Sequence, residues 1–234
     1  AANRKLGTQM KATGEVMAIG QSFAESLLKA IRSLETNVAH LRIPDLEKQT
    51  DEQLIKRLSQ ADDERIFIVA EAFRRNFTLN QIHEWTQITP FFLEKIERIV
   101  ALEKRLSQQP NDLALLLEAK QTGFSDAAIA ELWQTDELDI YQLRKEHDIM
   151  PAYLRVDTST AEFVADTPYY YGTYKGKSEL SRSSKKSVVV LGSGPIRIGQ
   201  GIEFDYATVH SVWAIQESGY EAIIINNNPE TVST

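Results

Sequence analysis

The chain has 234 residues, 42% hydrophobic and 25% charged, proportions that exclude pervasive disorder. A formal charge of −7 argues against general attraction to nucleic acid or an anionic membrane, and the lack of cysteine rules out disulfides and thiolate chemistry. No apolar run approaches the ~18 residues of a membrane-spanning helix and residues 1–7 are too polar for a signal peptide, so a cytoplasmic location is expected by default.

Residues 1–15 read as loop or short extended backbone, broken by Gly7 and Gly14. Ser22 is placed to cap a helix carrying Phe23, Leu27, Ala30, Ile31 and Leu34 at helical spacing. From about Thr50 the sequence predicts a succession of short helices. Thr50-x-x-Gln53 and Thr78-x-x-Gln81 fit the capping box, in which hydroxyl and amide satisfy exposed N–H groups reciprocally. Thr89-Pro90 reads as a cap followed by proline in the first turn, Asn111 and Ser125 as further caps, and Gly123 as a helix stop. Residues 72–82 align with 119–129 at an offset of 47, matching Ala72 with Ala119, Phe77 with Phe124, Thr78 with Ser125 and Ile82 with Ile129. Each copy reads as a helix end, a tight turn and a capped helix. Two copies are too few for a solenoid and point to a compact bundle of paired helical hairpins.

Periodicity is lost after Pro151. Residues 151–187 read as a tether, its aromatic part lying on a neighbouring domain and its Ser/Lys part, 175–186, mobile. The apolar run 188–191 then meets a glycine-rich turn with Gly192, Gly194, Gly199 and Gly201. A helix-length stretch closed by Gly219 follows, then a second apolar run, 222–225. That order is the opening βαβ unit of a doubly wound parallel sheet. One such unit cannot cover both faces of a parallel sheet, so the chain is expected to be a piece of a longer protein. The fold class expected is mainly α, with a helical domain followed by an incomplete α/β segment.

A dinucleotide fingerprint requires G-x-G-x-x-G, but Arg197 stands in the third glycine slot and Asn226 where a ribose-binding acid belongs. Both defects argue against NAD. Backbone N–H groups of the turn could in principle hold phosphate, but a packed turn without a ligand of its own is the simpler reading. Three isolated carboxylates stand out: Glu15, Glu203 after Gly201, and Glu230 after Pro229, the last two at the strand ends where parallel sheets place ligands. Taken alone, each reads first as a solvated or salt-bridged surface glutamate, with Arg197 a candidate partner. His40, His83, His147 and His210 are scattered, so no metal site is expected. Ser193 lacks the G-x-S-x-G context of a nucleophile elbow, and no catalytic residue is assigned. The second helices of the two hairpins carry no Arg or Lys, a poor basis for reading DNA. Trp85, Phe91, Phe92 and Trp133 are expected mostly in the core, with some left over for self-association.

The motif GSGPIRIGQGIEFDY (192–206) with NNNPETVST (226–234) closely resembles the start of the second synthetase half of the carbamoyl-phosphate synthase large subunit. Residues 10–35 resemble the close of that subunit's first half, and 63–75 and 156–174 resemble its middle region. The resemblance is collinear and covers essentially the whole chain. It implies four parts: 1–35 as the tail of the first ATP-grasp half, 36–150 as the helical oligomerisation domain, 151–187 as linker and 188–234 as the first βαβ unit of the second half. It implies a glutamine-hydrolysing ligase that uses two MgATP to make carbamoyl phosphate from bicarbonate and ammonia for pyrimidine and arginine synthesis. A glutaminase subunit is the implied partner. This stretch would hold no ATP, metal or other cofactor of its own and would act architecturally. By the same resemblance Met10, Glu15, Gly201, Glu203 and Glu230 line a passage that carries carbamate between two active sites. The alternative is a stand-alone helical interaction module with a partial nucleotide-binding fold.

Overall fold

A computed structural model describes residues 4–12, 14–34, 36–157, 159, 162, 167–181, 183–192, 196–197 and 202–226, of which 196–197 and 202–204 by backbone alone. The chain is mainly helical and divides into two compact units, Ala1–Lys11 with Ser22–Met150, and Ala12–Gln21 with Pro151–Thr234.

The first unit is built from α1 (Phe23–Ser33), α2 (Pro44–Glu47), α3 (Asp51–Leu58), α4 (Arg65–Arg74), α5 (Leu79–Thr86), α6 (Pro90–Gln108), α7 (Leu113–Thr122), α8 (Asp126–Trp133) and α9 (Glu137–Glu146). Local chemistry sets most of the boundaries. Ser22 accepts from the Glu25 N–H at 3.3 Å. The capping boxes of α3 and α5 have matching geometry: N3 donates to the threonine hydroxyl at 3.3 Å, and the N-cap N–H donates to the glutamine at 2.9 Å. Ser125 accepts from Ala128 at 3.0 Å. Two expected caps differ. Thr89 makes no side-chain capping bond. The cap of α7 is Asp112, which accepts from Leu115 at 3.0 Å, whereas Asn111 takes a left-handed φ of 63° in the turn before it. Asparagine tolerates that conformation, so the two residues share the turn and the cap between them.

The repeat is longer in space than the sequence alignment suggested. KRLSQ recurs at 56–60 and 104–108, with Leu58 and Leu106 fully buried in α3 and α6. The arrangement α3–α4–α5 is thus repeated by the carboxyl half of α6 with α7 and α8, and α9 follows α8 as α6 follows α5. The turn bonds match as well: Phe77 N–H donates to the Ala72 carbonyl at 3.1 Å, and Phe124 N–H to that of Ala119 at 3.0 Å. Between helix and phenylalanine stand Asn76 (φ 63°) and Gly123 (φ 110°). Gly123 has a second reason to be glycine: an added Cβ would lie 2.8 Å from the Cα of Glu25 in α1. Helix α1, expected as the tail of a preceding domain, packs against α6 and α7. Arg32 anchors it by donating to the Gly123 carbonyl at 2.6 Å.

In the second unit, β4 (Ser187–Leu191) and β6 (Glu221–Ile225) pair in parallel, with α10 (Ile202–Glu217) between them in sequence and packed on both. Gly219, at φ 82°, ends α10 and lets Tyr220 N–H donate back to the Ile215 carbonyl at 3.2 Å. Val189 and Leu191 pair with Ile223 and Ile225 on the sheet face away from the helix, and all four are exposed. The expected tether contains regular structure. β2 (Ala152–Arg155) pairs antiparallel with β3 (Tyr170–Thr173), and Glu179 N–H donates to the Tyr153 carbonyl at 2.9 Å along the other edge of β2. Aromatic and β-branched residues suit such a ladder, but four-residue strands are too short to show alternation.

Candidate functional site

Two short features converge on the glycine-rich turn. At the end of β4, Gly192 N–H donates to the Ile225 carbonyl at 2.8 Å, prolonging the parallel ladder. A Cβ on Gly192 would lie 1.6 Å from Asn226 Oδ1 and 3.0 Å from the Ile225 carbonyl. The close neighbour is the side chain of Asn226, the residue standing where a dinucleotide site would carry its acid. The second feature is β1 (Gly14–Glu15), paired antiparallel with β5 (Ile196–Arg197): Gly14 opposes Arg197 and Glu15 opposes Ile196. Backbone pairing thus joins the TGEVM stretch to the glycine-rich turn across most of the chain.

The other predicted site residues fall as follows. Glu15 is exposed. Met10 is 85% exposed and belongs to the helical unit, whereas Glu15 belongs to the other. Glu203 lies in the first turn of α10, its side chain outside the described residues. Gly194, Gly199, Gly201 and Glu230 lie outside them altogether.

The perturbed ionisable groups are elsewhere, inside the helical unit, and composition gave no signal of them. Arg74 grips Glu103 with two bonds of 2.7 and 2.8 Å and donates to the Leu41 carbonyl. His40 Nδ1 stands 3.2 Å from the same carboxylate, and Glu71 bridges Arg74 and Arg75 at 3.3 and 3.0 Å. Burial pushes the Glu103 pKa up, but the Arg74 fork and the neighbouring His40 outweigh it and bring it to about 2. A second cluster joins Lys120 to Asp126 at 2.6 Å and Asp126 to Arg144 at 2.7 Å. Burial lowers the Lys120 pKa, with Asp126 opposing; burial raises that of Asp126, but the two cations hold it low. Carboxylates held ionised and paired are the opposite of a general acid or base, whose pKa must lie near the working pH. These clusters organise the helices. Among the described residues, no group of three His, Asp or Glu is assembled to hold a metal, and no helix is long and apolar enough to cross a membrane.

The aromatics divide. Trp133 is buried, its indole donating to the Leu106 carbonyl at 3.0 Å, and Trp85 stands edge-on to Phe77. Phe91 and Phe92 are 53% and 44% exposed.

Against known families, the model of the carbamoyl-phosphate synthetase large chain, oligomerisation domain, matches residues 15–148, more than half of the chain. The model of the carbamoyl phosphate synthase preATP-grasp domain matches residues 184–234.

Proposed function

The chain belongs to the carbamoyl-phosphate synthetase large-chain family, a family of ligases, and from that premise we propose that it joins the two synthetase halves of that enzyme. It mediates subunit contact through the helical unit and contributes wall to a passage for carbamate. The whole enzyme is glutamine-dependent: a glutaminase subunit supplies ammonia, which attacks carboxyphosphate made from bicarbonate and ATP. The resulting carbamate is phosphorylated by a second ATP. The nucleotides bind outside these residues, whose part is positional. Carbamate decomposes in water, so an enclosed route between the two phosphorylation sites has a chemical purpose. Met10, Glu15, Gly201, Glu203 and Glu230 are the proposed wall. The observation that carries this reading is the pairing of Gly14–Glu15 with Ile196–Arg197, which draws one proposed wall segment against the turn that carries another. Residues 36–150 are the proposed oligomerisation domain, flanked by 1–35, the 151–187 connection and the 188–234 start of the second half.

The test is Gly201→Leu in the whole enzyme. Bicarbonate-dependent ATP hydrolysis and ATP synthesis from carbamoyl phosphate are expected to persist while glutamine-dependent product formation falls. Loss of all activities in parallel would mean that leucine disrupts the fold of the second half, and the passage role of this residue would be abandoned.

A further inference from the structure

The segment between α1 and α2 reaches both copies of the repeat within three residues. The Leu41 carbonyl accepts from Arg74 of α4 at 2.5 Å, and His40 Nδ1 stands 3.2 Å from Glu103 Oε2 of α6. On the other side, His40 Nε2 lies 3.8 Å and Arg42 Nη1 3.4 Å from the Glu131 carboxylate of α8. A tight turn holds the three residues, the Arg42 N–H donating to the His40 carbonyl at 2.8 Å. The imidazole is 1% exposed, and the centroid of the Phe124 ring lies 6.1 Å from its own. Neither ring nitrogen has the alignment of a hydrogen bond. The ring is thus a buried polar group set between two carboxylates.

We propose that His40 is a protonation-controlled clasp: its imidazolium form ties α8 to α6, and loss of the proton loosens α8. A neutral imidazole offers one N–H and one lone pair, so in either tautomer a lone pair faces a carboxylate. An imidazolium faces an acceptor on both sides, and a buried charge needs that pairing. Coulomb attraction, unlike a hydrogen bond, does not depend on close alignment. The neighbouring charges leave room for a further cation. Arg74 is shared by Glu103 and by Glu71 of α4, and Arg42 by Glu131 and by Glu47 of α2. Each carboxylate facing the ring therefore divides its arginine with another. Helix α1 adds Arg32, bonded to the Gly123 carbonyl in the turn that carries Phe124. The tie is present with the ring charged and is lost as pH rises.

The experiment is NMR of the whole chain from about pH 5 to about pH 8, the range in which histidine changes charge. Ring nitrogen shifts report the His40 proton, assigned among the four histidines by its absence in His40→Gln. Amide protection factors, corrected for the intrinsic effect of pH on exchange, report α8. Protection across α8 is expected to fall about fivefold as His40 loses its proton, the loss of one modest contact, while α3 is unmoved. His40→Gln should abolish this response. Glu131→Gln, at a half-exposed site, should abolish it too while His40 still titrates, so the test does not rest on a variant of the buried ring. A ring that is neutral throughout would overturn the clasp. So would a titration that leaves α8 unmoved, or the same response in either variant.

Discussion

The two copies of the helical repeat have the same local signals and different surroundings. Helix α4 lies among α2, α3, α5 and α6 and is buried without a break from Phe67 to Phe73. Its counterpart α7 packs chiefly on α6 and α1 and leaves Leu117 40% exposed where α4 buries Ala70 completely. At the next pair of equivalent positions the chemistry changes: Phe73 is 7% exposed, and Lys120 in its place is 6% exposed, tied to Asp126 where the first copy has Leu79. The first copy instead places its charge at Glu71 and Arg74, and Arg74 reaches Glu103 in the carboxyl half of α6. The lesson is that caps and turns are inherited with the repeat, whereas the interior is set by what each copy packs against.

The largest expected difference between the copies comes from removing the anion that partners a cation of each, Arg74 in the first and Lys120 in the second. Glu103→Gln removes the two-bond ionic partner of Arg74, which cannot shed its proton and keeps only the longer Glu71 contact at 3.3 Å, and should cost about 3–5 kcal/mol in denaturant unfolding. Asp126→Asn should cost less, about 1–3 kcal/mol, because of its two cations Lys120, already shifted by burial, can neutralise and only Arg144 keeps its charge beside the amide. Equal losses would break the comparison. Acid titration sharpens it. The Glu103 pKa is depressed in the folded chain from an ordinary 4.5 to about 2, so its contribution is fully present above pH 4.5 and is lost as pH falls through about 2. That contribution is roughly 3 kcal/mol by linkage. Stability of the wild type should fall over this window, and Glu103→Gln should flatten the fall; an unchanged slope would refute the assignment.

The turns come next. Gly123→Ala must hold a left-handed φ and push Glu25 of α1 away, a loss of about 2–4 kcal/mol from overpacking and strain together. Asn76→Ala at the equivalent turn meets the strain alone, about 1–2 kcal/mol. The smallest expected effect is a shared one. Thr50→Ala, Thr78→Ala and Ser125→Ala should each cost ~1 kcal/mol, alike in both copies, because each removes one side-chain cap bond from a helix start. A cap that cost far more in one copy would show that even the turns depend on their surroundings.

Legibility follows the range of each interaction. The capping boxes at Thr50 and Thr78, the stop at Gly123 and the 72–82 repeat are visible because each is complete within about a dozen residues. The longer repeat is hidden because one continuous helix, α6, serves both copies, and the offset slips from 48 for KRLSQ to 47 beyond it. The choice of Asp112 over Asn111 is not legible, since both residues can cap and the turn decides. Of the candidate site, the glycines of the turn stand out in sequence. The contact of Asn226 with Gly192 and the ladder that brings Glu15 to Ile196 do not, because each joins residues remote along the chain.

What the sequence determined by itself was the family, the order of helices and the βαβ unit: hydrophobic period, capping chemistry and turn residues are local properties that need no partner. Tertiary structure alone decided which charges went inside. Glu71, Glu103 and Lys120 read as surface residues, since ionised groups are costly to bury unpaired. Glu103 and Lys120 are buried because the fold brings an opposite charge from another helix to bonding distance, a pairing that no local pattern records, whereas Glu71 pairs along its own helix with Arg74 and Arg75.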